Sequence, residues 1–571
     1  MAGWITKLRA SGSWIALLVV LFILACGTAA TPTQSPEGTE VPAVTPSTQA
    51  TPTATPTQVS TAANAISAKS TMTIVTGAEP PTIDAFLETT TTFGQVVTNF
   101  VETLTIPDTL SGKPVAGSGF SRWELQGPER WRWFLRPGIK FSNGEPWDAG
   151  AAKYSIDYSG NQNNNTSTYG QTGDIRAEVV DELTVDIVCQ TSCPILDMAA
   201  MWLAFQAPEW HAGATEDQRA RNAIGYGPYQ LVEWVPGQFI KATAYEDYVA
   251  APERHDYQPA TIKDVTWVWR GEEAVRAAML ITAEADVGYG LPLEEVDRLP
   301  KHFLGTEGGT YGFRLDTIWE PALKNVQLRK AMVHAIDCEA IAQSLFQGKP
   351  TCRGSVVGPG ALGVNPEKTP PYQYDPELAR QLIKESGYAG QELKVYAREE
   401  RRPKGIEVSE AVVGYWQEVG INANLVILES AKWNDFHRTG PGKYGDDALN
   451  AANMAPPPPT HSSPQILAGS TMGSPDTREL GRNFSFYLSC FSDRAKVCDP
   501  DRIQPMADLA LAAAGEERRQ RLEEIAQLVY DEVLVIPLFD TITVWGMAED
   551  LEWQPRVIDE SIRVSTMRWA Q

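Results

Sequence analysis

The stretch "WRWFLRPGIKFSNGEPWDAGAAKY", residues 131–154, packs three Trp, two Arg and two glycine turns into one short run. Such density suggests an active site, yet each residue type there has a local structural reason. Trp131 to Arg136 alternates with a period of two, which predicts a strand, although one face carries Phe134 between Arg132 and Arg136. Pro137-Gly138 supplies a turn and Ile139-Lys140-Phe141 predicts a second strand. Asn143-Gly144 offers the positive φ of another tight turn. Asp148 is placed as the N-cap of a helix running through Tyr154. The stretch therefore reads as frame, with no residue that requires a substrate.

Outward from the frame, the N-terminus reads as a targeting device. Lys7 and Arg9 precede the apolar run Trp14 to Ala25. Its length, at about 1.5 Å per residue, gives about 18 Å, short of the roughly 30 Å hydrocarbon core of a bilayer. Residues 1–25 are thus expected to be a signal peptide. Ile23-Leu-Ala-Cys26-Gly27 resembles the bacterial lipobox, which implies a thioether-linked lipid on Cys26. Residues 26–70 are rich in Thr, Pro, Ala and Ser and lack aromatic residues, so they are expected to be a disordered tether. From Thr71 the composition is globular, and about 500 residues exceed what one core normally holds.

The formal charge of the chain is -23, and loss of Lys7 and Arg9 with the signal takes it to -25. That balance argues against a nucleic-acid partner, whose phosphates require clustered Lys and Arg. Six Cys remain besides Cys26, falling into near neighbours: Cys189 with Cys193, Cys338 with Cys352, and Cys490 with Cys498. Local disulfides are the simplest pairing in an oxidising compartment, although six Cys allow fifteen connectivities.

Signatures of catalysis are missing from the sequence. It contains no G-x-S-x-G elbow, no H-E-x-x-H and no Walker loop. Gly358-Pro-Gly-Ala-Leu-Gly363 matches a dinucleotide fingerprint in letters. Val-Asn-Pro follows it where a helix is needed, so a loop is expected. Cys189-Gln-Thr-Ser-Cys193 has one residue too many for the redox C-x-x-C, and the six His are scattered. No enzyme activity, cofactor or metal site is expected.

The frame stretch resembles the signature of the family 5 extracellular solute-binding proteins of ABC importers. Other blocks match in order: Thr73 to Asp84, Gly225-Tyr-Gly-Pro-Tyr229 with Gln230 to Trp234, Leu328 to Ala331 with Ala335-Ile-Asp337, Tyr374-Asp-Pro376 through Tyr388, and Val535-Ile-Pro-Leu538. The resemblance implies an α/β, bilobal periplasmic-binding-protein fold of type II with an extra subdomain on lobe one. Lobe one would take residues 71–104, 222–306 and 537–571, the extra subdomain 105–221, and lobe two 307–536. A monomer lipid-anchored to the outer face of the cytoplasmic membrane is implied, closing on a solute and docking on permease subunits.

The ligand class stays open between a peptide, favoured by the family, an oligosaccharide, and then a nickel or other metal chelate. Peptide binders of the family hold the α-ammonium with an Asp of lobe two, but here that position falls on Asn453 or Met454, and the usual Trp on Asn450 or Ala451. An amide does not neutralise an ammonium, and Trp faces suit sugar rings. By position in the family, the residues expected to line the cleft are Phe93, Asp316, Trp319, Trp433, Asn450 and Asn453.

Overall fold

In a computed structural model, residues 69–570 are described apart from 89–90, 110–112, 165, 167, 252, 399–403, 450–464, 470–478 and 557–558. The signal, Cys26 and the tether as far as residue 68 lie outside the described residues, as do Asn450 and Asn453. The strands in chain order are β1 (Thr71–Thr76), β2 (Thr105–Pro107), β3 (Pro114–Ala116), β4 (Phe120–Gly127), β5 (Arg130–Leu135), β6 (Ile175–Asp181), β7 (Thr184–Cys189), β8 (Tyr229–Val235) and β9 (Phe239–Ala244). They continue with β10 (Asp264–Trp269), β11 (Val287–Tyr289), β12 (Lys301–Leu315), β13 (Leu393–Arg398), β14 (Ala423–Leu428), β15 (Ile466–Ala468), β16 (Val535–Met547), β17 (Leu551–Glu552) and β18 (Arg568–Trp569).

The frame stretch forms β5 and the helix Ala149–Ser159. Asp148 caps that helix, accepting a 2.9 Å hydrogen bond from the Ala151 amide. Gly138 and Gly144 both have positive φ, at 79° and 91°. The second strand expected at Ile139–Phe141 is instead a single bridge between Lys140 and Pro146. Strand β5 already has partners on both edges, β4 and β7, so a hairpin with the following segment has no free edge to use. Trp131, Trp133 and Leu135 point into the core, while Arg130 and Arg132 meet Asp186 on the outer face. Arg122 covers Phe134, its guanidinium carbon 3.4 Å from the ring centre, which answers the Phe set between two Arg. Arg136 donates to the carbonyls of Ser118 and Ala250.

The principal sheet has ten strands in the order β14-β13-β15-β12-β16-β11-β1-β10-β9-β8. Strands β1 and β10 are parallel, as are β13 and β14, while β12 and β16 run antiparallel through the middle. Those two strands are the longest, and β16 is buried along its whole length. Their register breaks between Thr306, paired with Ile542, and Thr310, paired with Asp540. Arg353 holds Asp540 at this break with a 2.6 Å ion pair, and the Cys338–Cys352 disulfide fixes the neighbouring chain.

Phe100, Trp267, Trp545 and Ile562 form one core at the β1–β10 end of the sheet. At the other end Phe313, Leu315, Val395, Trp416, Ile466 and Phe539 form part of a larger core, which also extends along β16 to Val544. A separate core of Trp133, Trp147, Ile187 and Phe205 lies under the four-stranded sheet β4-β5-β7-β6. Each fully buried large apolar side chain contributes about 1.5–3 kcal/mol. The other two disulfides join Cys189 to Cys193 and Cys490 to Cys498. Residues 358–363 form turns, with Gly360 and Gly363 at φ 87° and 86°, and hold no helix N-terminus for a phosphate.

Candidate functional site

The pleat of the sheet builds the site. In β12, Phe313 and Leu315 face the large core, so Arg314 and the following Asp316 fall on the opposite face. The same alternation in β13 sends Leu393, Val395 and Ala397 inward and leaves Tyr396 and Arg398 on the Arg314 side. Between them Leu467 of β15 pairs with both Arg314 and Tyr396. The helix Ser430–His437 covers this face, placing Trp433 and Phe436 on Leu467 in a small cluster of their own.

Arg314 is only 1% exposed. Its Nη2 donates to Nδ1 of His437 at 2.6 Å, so that ring nitrogen is the acceptor and the imidazole is neutral. Burial, together with Arg314 and Arg494 nearby, holds the His437 pKa far below its ordinary value. Burial pushes Arg314 itself down to about 10, assisted by Arg494 and Arg398. The guanidinium carbon lies 4.8 Å from the Tyr487 ring centre and 5.9 Å from that of Trp433, and that of Arg398 lies 4.4 Å from Trp433. Among the described residues, Nε and Nη1 of Arg314 and Nε1 of Trp433 have no hydrogen-bond partner.

A loop closed by the Cys490–Cys498 disulfide adds Arg494 and Lys496. Gly440 and Gly442 donate to the carbonyls of Asp493 and Ser492, and a Cβ on Gly440 would meet the Ala495 nitrogen at 2.6 Å. That close approach lets Lys496 reach the Thr439 hydroxyl. Lys496 is buried, and burial lowers it to about 7 against the opposing pull of Asp316. Asp493 pairs with Arg438 at 3.1 Å. Among the described residues, cations therefore outnumber carboxylates around the face, in a chain that is strongly acidic overall.

Two residues expected at the cleft meet this cluster. Trp433 is buried within it, and Asp316 lies beside it, accepting from the amides of Ile318 and Trp319 at 3.0 Å each. Trp319 is buried beside that turn. Phe93 lies elsewhere, in the helix Thr91–Gln95, where its ring packs 5.1 Å from Trp202 in the β1–β10 core. Arg314, Arg398, His437, Tyr487 and Lys496 were not singled out from the sequence. The available signal was an Arg alternating with apolar residues of a strand, in Phe313-Arg314-Leu315 and Val395-Tyr396-Ala397-Arg398. Among the described residues no group of three His, Cys, Asp or Glu is placed to hold a metal ion.

Residues 117–470 match the profile of the bacterial extracellular solute-binding proteins, family 5 (middle region). The chain belongs to this family. The glutathione-binding protein GsiB of Salmonella paratyphi A is 29% identical over 263 residues, 44% of this chain and 49% of that protein. GsiB of Escherichia coli K12 is 28% identical over 266 residues, with the same shares. The chain thus spans about half the length of the curated relatives it matches.

Among solved structures, the substrate-binding protein CtaP of Listeria monocytogenes superposes with a TM-score of 0.74 at 16% identity, over 88% of this chain and all of that one. The dipeptide-binding protein of Pseudoalteromonas sp. SM9913, solved with Met-Leu, gives 0.68 at 17% identity, over 87% of this chain and all of that one. The family 5 protein therefore has the α/β bilobal periplasmic-binding-protein fold.

Proposed function

We propose that this family 5 protein captures a peptide outside the cell by closing its lobes and delivers it to the permease of an ABC importer, tethered by lipid on Cys26. The observation that carries this reading is the pair β12 and β16, the long central strands of one sheet whose register breaks at Thr306–Thr310. Such a break is a place for the sheet to flex, and we place the crossing between lobe one and lobe two there, with Asp540–Thr543 opposite. The extra subdomain then holds the separate core under β4-β5-β7-β6.

Peptide is favoured over oligosaccharide because Trp319 and Trp433, the rings expected to offer flat platforms, are 7% and 3% exposed and covered by protein. Thermal melting of the whole protein with pooled tripeptides and with β-linked oligosaccharides tests the reading. A peptide present at about 100 times its Kd should stabilise by about 2.7 kcal/mol, with no shift from the sugars. Stabilisation by sugars alone contradicts it.

A further inference from the structure

We infer that residues 351–357 form a strap that fixes where the central sheet bends when the lobes close on the solute. The inference rests on the lobe crossing at the β12–β16 break and names the device that controls it. At the break Thr306 pairs with Ile542 and Thr310 with Asp540, so residues 307–309 of β12 lie opposite the single Thr541. A ladder interrupted in this way bends easily, and the chain beside it confines the bend. Phe539 pairs with Tyr311 on one side and with Cys352 on the other. The Arg353 amide donates to the Leu538 carbonyl at 2.7 Å, and the Asp540 amide donates to that of Thr351 at 3.1 Å. Further on, Val357 bridges Gly309 of β12, and the Thr310 hydroxyl donates to the Ser355 carbonyl at 3.0 Å. The strap thus fastens both strands beside the break.

The strap is itself anchored. The Cys338–Cys352 disulfide joins it to the helix Cys338–Phe346, which packs on the same strand with the Phe346 ring 5.3 Å from Phe539. Arg353 forks onto Asp540 at 2.8 Å and 2.6 Å, and that carboxylate is 4% exposed, so salt screens the pair little. A Cβ on Gly354 would lie 2.0 Å from the Pro370 carbonyl oxygen, so the strap is pressed against its own lobe with no room to slide. Leu538 to Asp540 are therefore held with lobe two, beyond the boundary at 537 that family position implies. Flexure is left to residues 307–309 and Thr541. A hinge confined to so few residues loses little freedom on closing, and a solute binds it more tightly than a hinge whose bend wanders along the strands.

Amide hydrogen exchange and calorimetric titration of the whole protein test the strap. The proteins are the native chain, Cys338→Ala with Cys352→Ala, Arg353→Gln, and a control, Cys189→Ala with Cys193→Ala, whose disulfide closes the end of β7 on another sheet. The probe is a pool of tripeptides. In both strap variants the Asp540 amide should exchange at least about tenfold faster, and peptide affinity should fall at least about fivefold. The control should stay within about twofold of the native protein on both readouts. Arg353→Gln keeps the test open if the double Cys variant fails to fold.

Faster exchange at Asp540 with unchanged peptide affinity makes the strap a local brace; it overturns the inference and leaves peptide capture standing. Unchanged exchange in the strap variants overturns it too, as does an equal loss of affinity in the control. If the native protein binds no tripeptide, peptide capture is overturned, and small-angle scattering without solute decides the strap. A radius of gyration larger than the native one in both strap variants keeps it, and an equal one overturns it.

Discussion

Arg314→Met should leave the solute-free protein more stable by about 1 kcal/mol. Replacing a buried ionic group with an apolar side chain of similar length is worth about 1–4 kcal/mol, because the charge no longer has to be held out of water. Against this, Nδ1 of His437 loses its donor, at a cost of about 1–3 kcal/mol. The first term is the larger here for two reasons. No carboxylate pairs with Arg314 among the described residues, and its neighbours Arg494 and Arg398 are cations whose repulsion disappears with it. Chemical denaturation without solute checks the sign. A loss of more than about 1 kcal/mol would make Arg314 a structural tie.

Arg556→Met should move in the other direction, destabilising the protein by about 3–5 kcal/mol, the cost of leaving a buried charge without its partner. Arg556 is as buried as Arg314, yet it is enclosed by acceptors. It pairs with Asp256 and Asp559, both buried, and donates to the Pro107 carbonyl at 2.6 Å and the Ser561 hydroxyl at 2.9 Å. Burial alone would raise the Asp559 carboxyl, but Arg556 outweighs it and holds the pKa below the usual value. Removing the cation leaves two buried carboxylates facing Arg563, itself paired to Glu102, with His255 and Thr109 beside Asp256. The change should appear as an earlier unfolding transition in urea, and a shift worth under 1 kcal/mol would contradict the account. The two arginines contrast in their surroundings: Arg556 is enclosed by acceptors, while two nitrogens of Arg314 have no partner among the described residues.

Much of the frame was legible because its signals are local. The alternation of Trp131 to Leu135, the cap at Asp148 and the turns at Gly138 and Gly144 depend on neighbours within a few residues. The expectation of a strand at Ile139–Phe141 went wrong because the edge it needed is filled by β7, some fifty residues further along the chain. The near-neighbour cysteine pairs are likewise local, and all three disulfides are present.

The site was harder to read. Trp433 was reached through family position, but what gives it meaning is Arg314, more than a hundred residues earlier, and Arg398 on another strand. Whether a cation in a strand is paired or left open depends on which distant carboxylates the fold brings to it. Arg556 finds Asp256 across 300 residues and Arg314 finds none among those described, a difference that no local pattern encodes.

The most direct test is the mass of the solute recovered from the protein after incubation with a defined mixture of tripeptides and oligosaccharides, washing and denaturation. A shell that closes on a peptide and changes no covalent bond predicts one intact peptide per chain. A hydrolysed fragment, or a neutral sugar in its place, would contradict it.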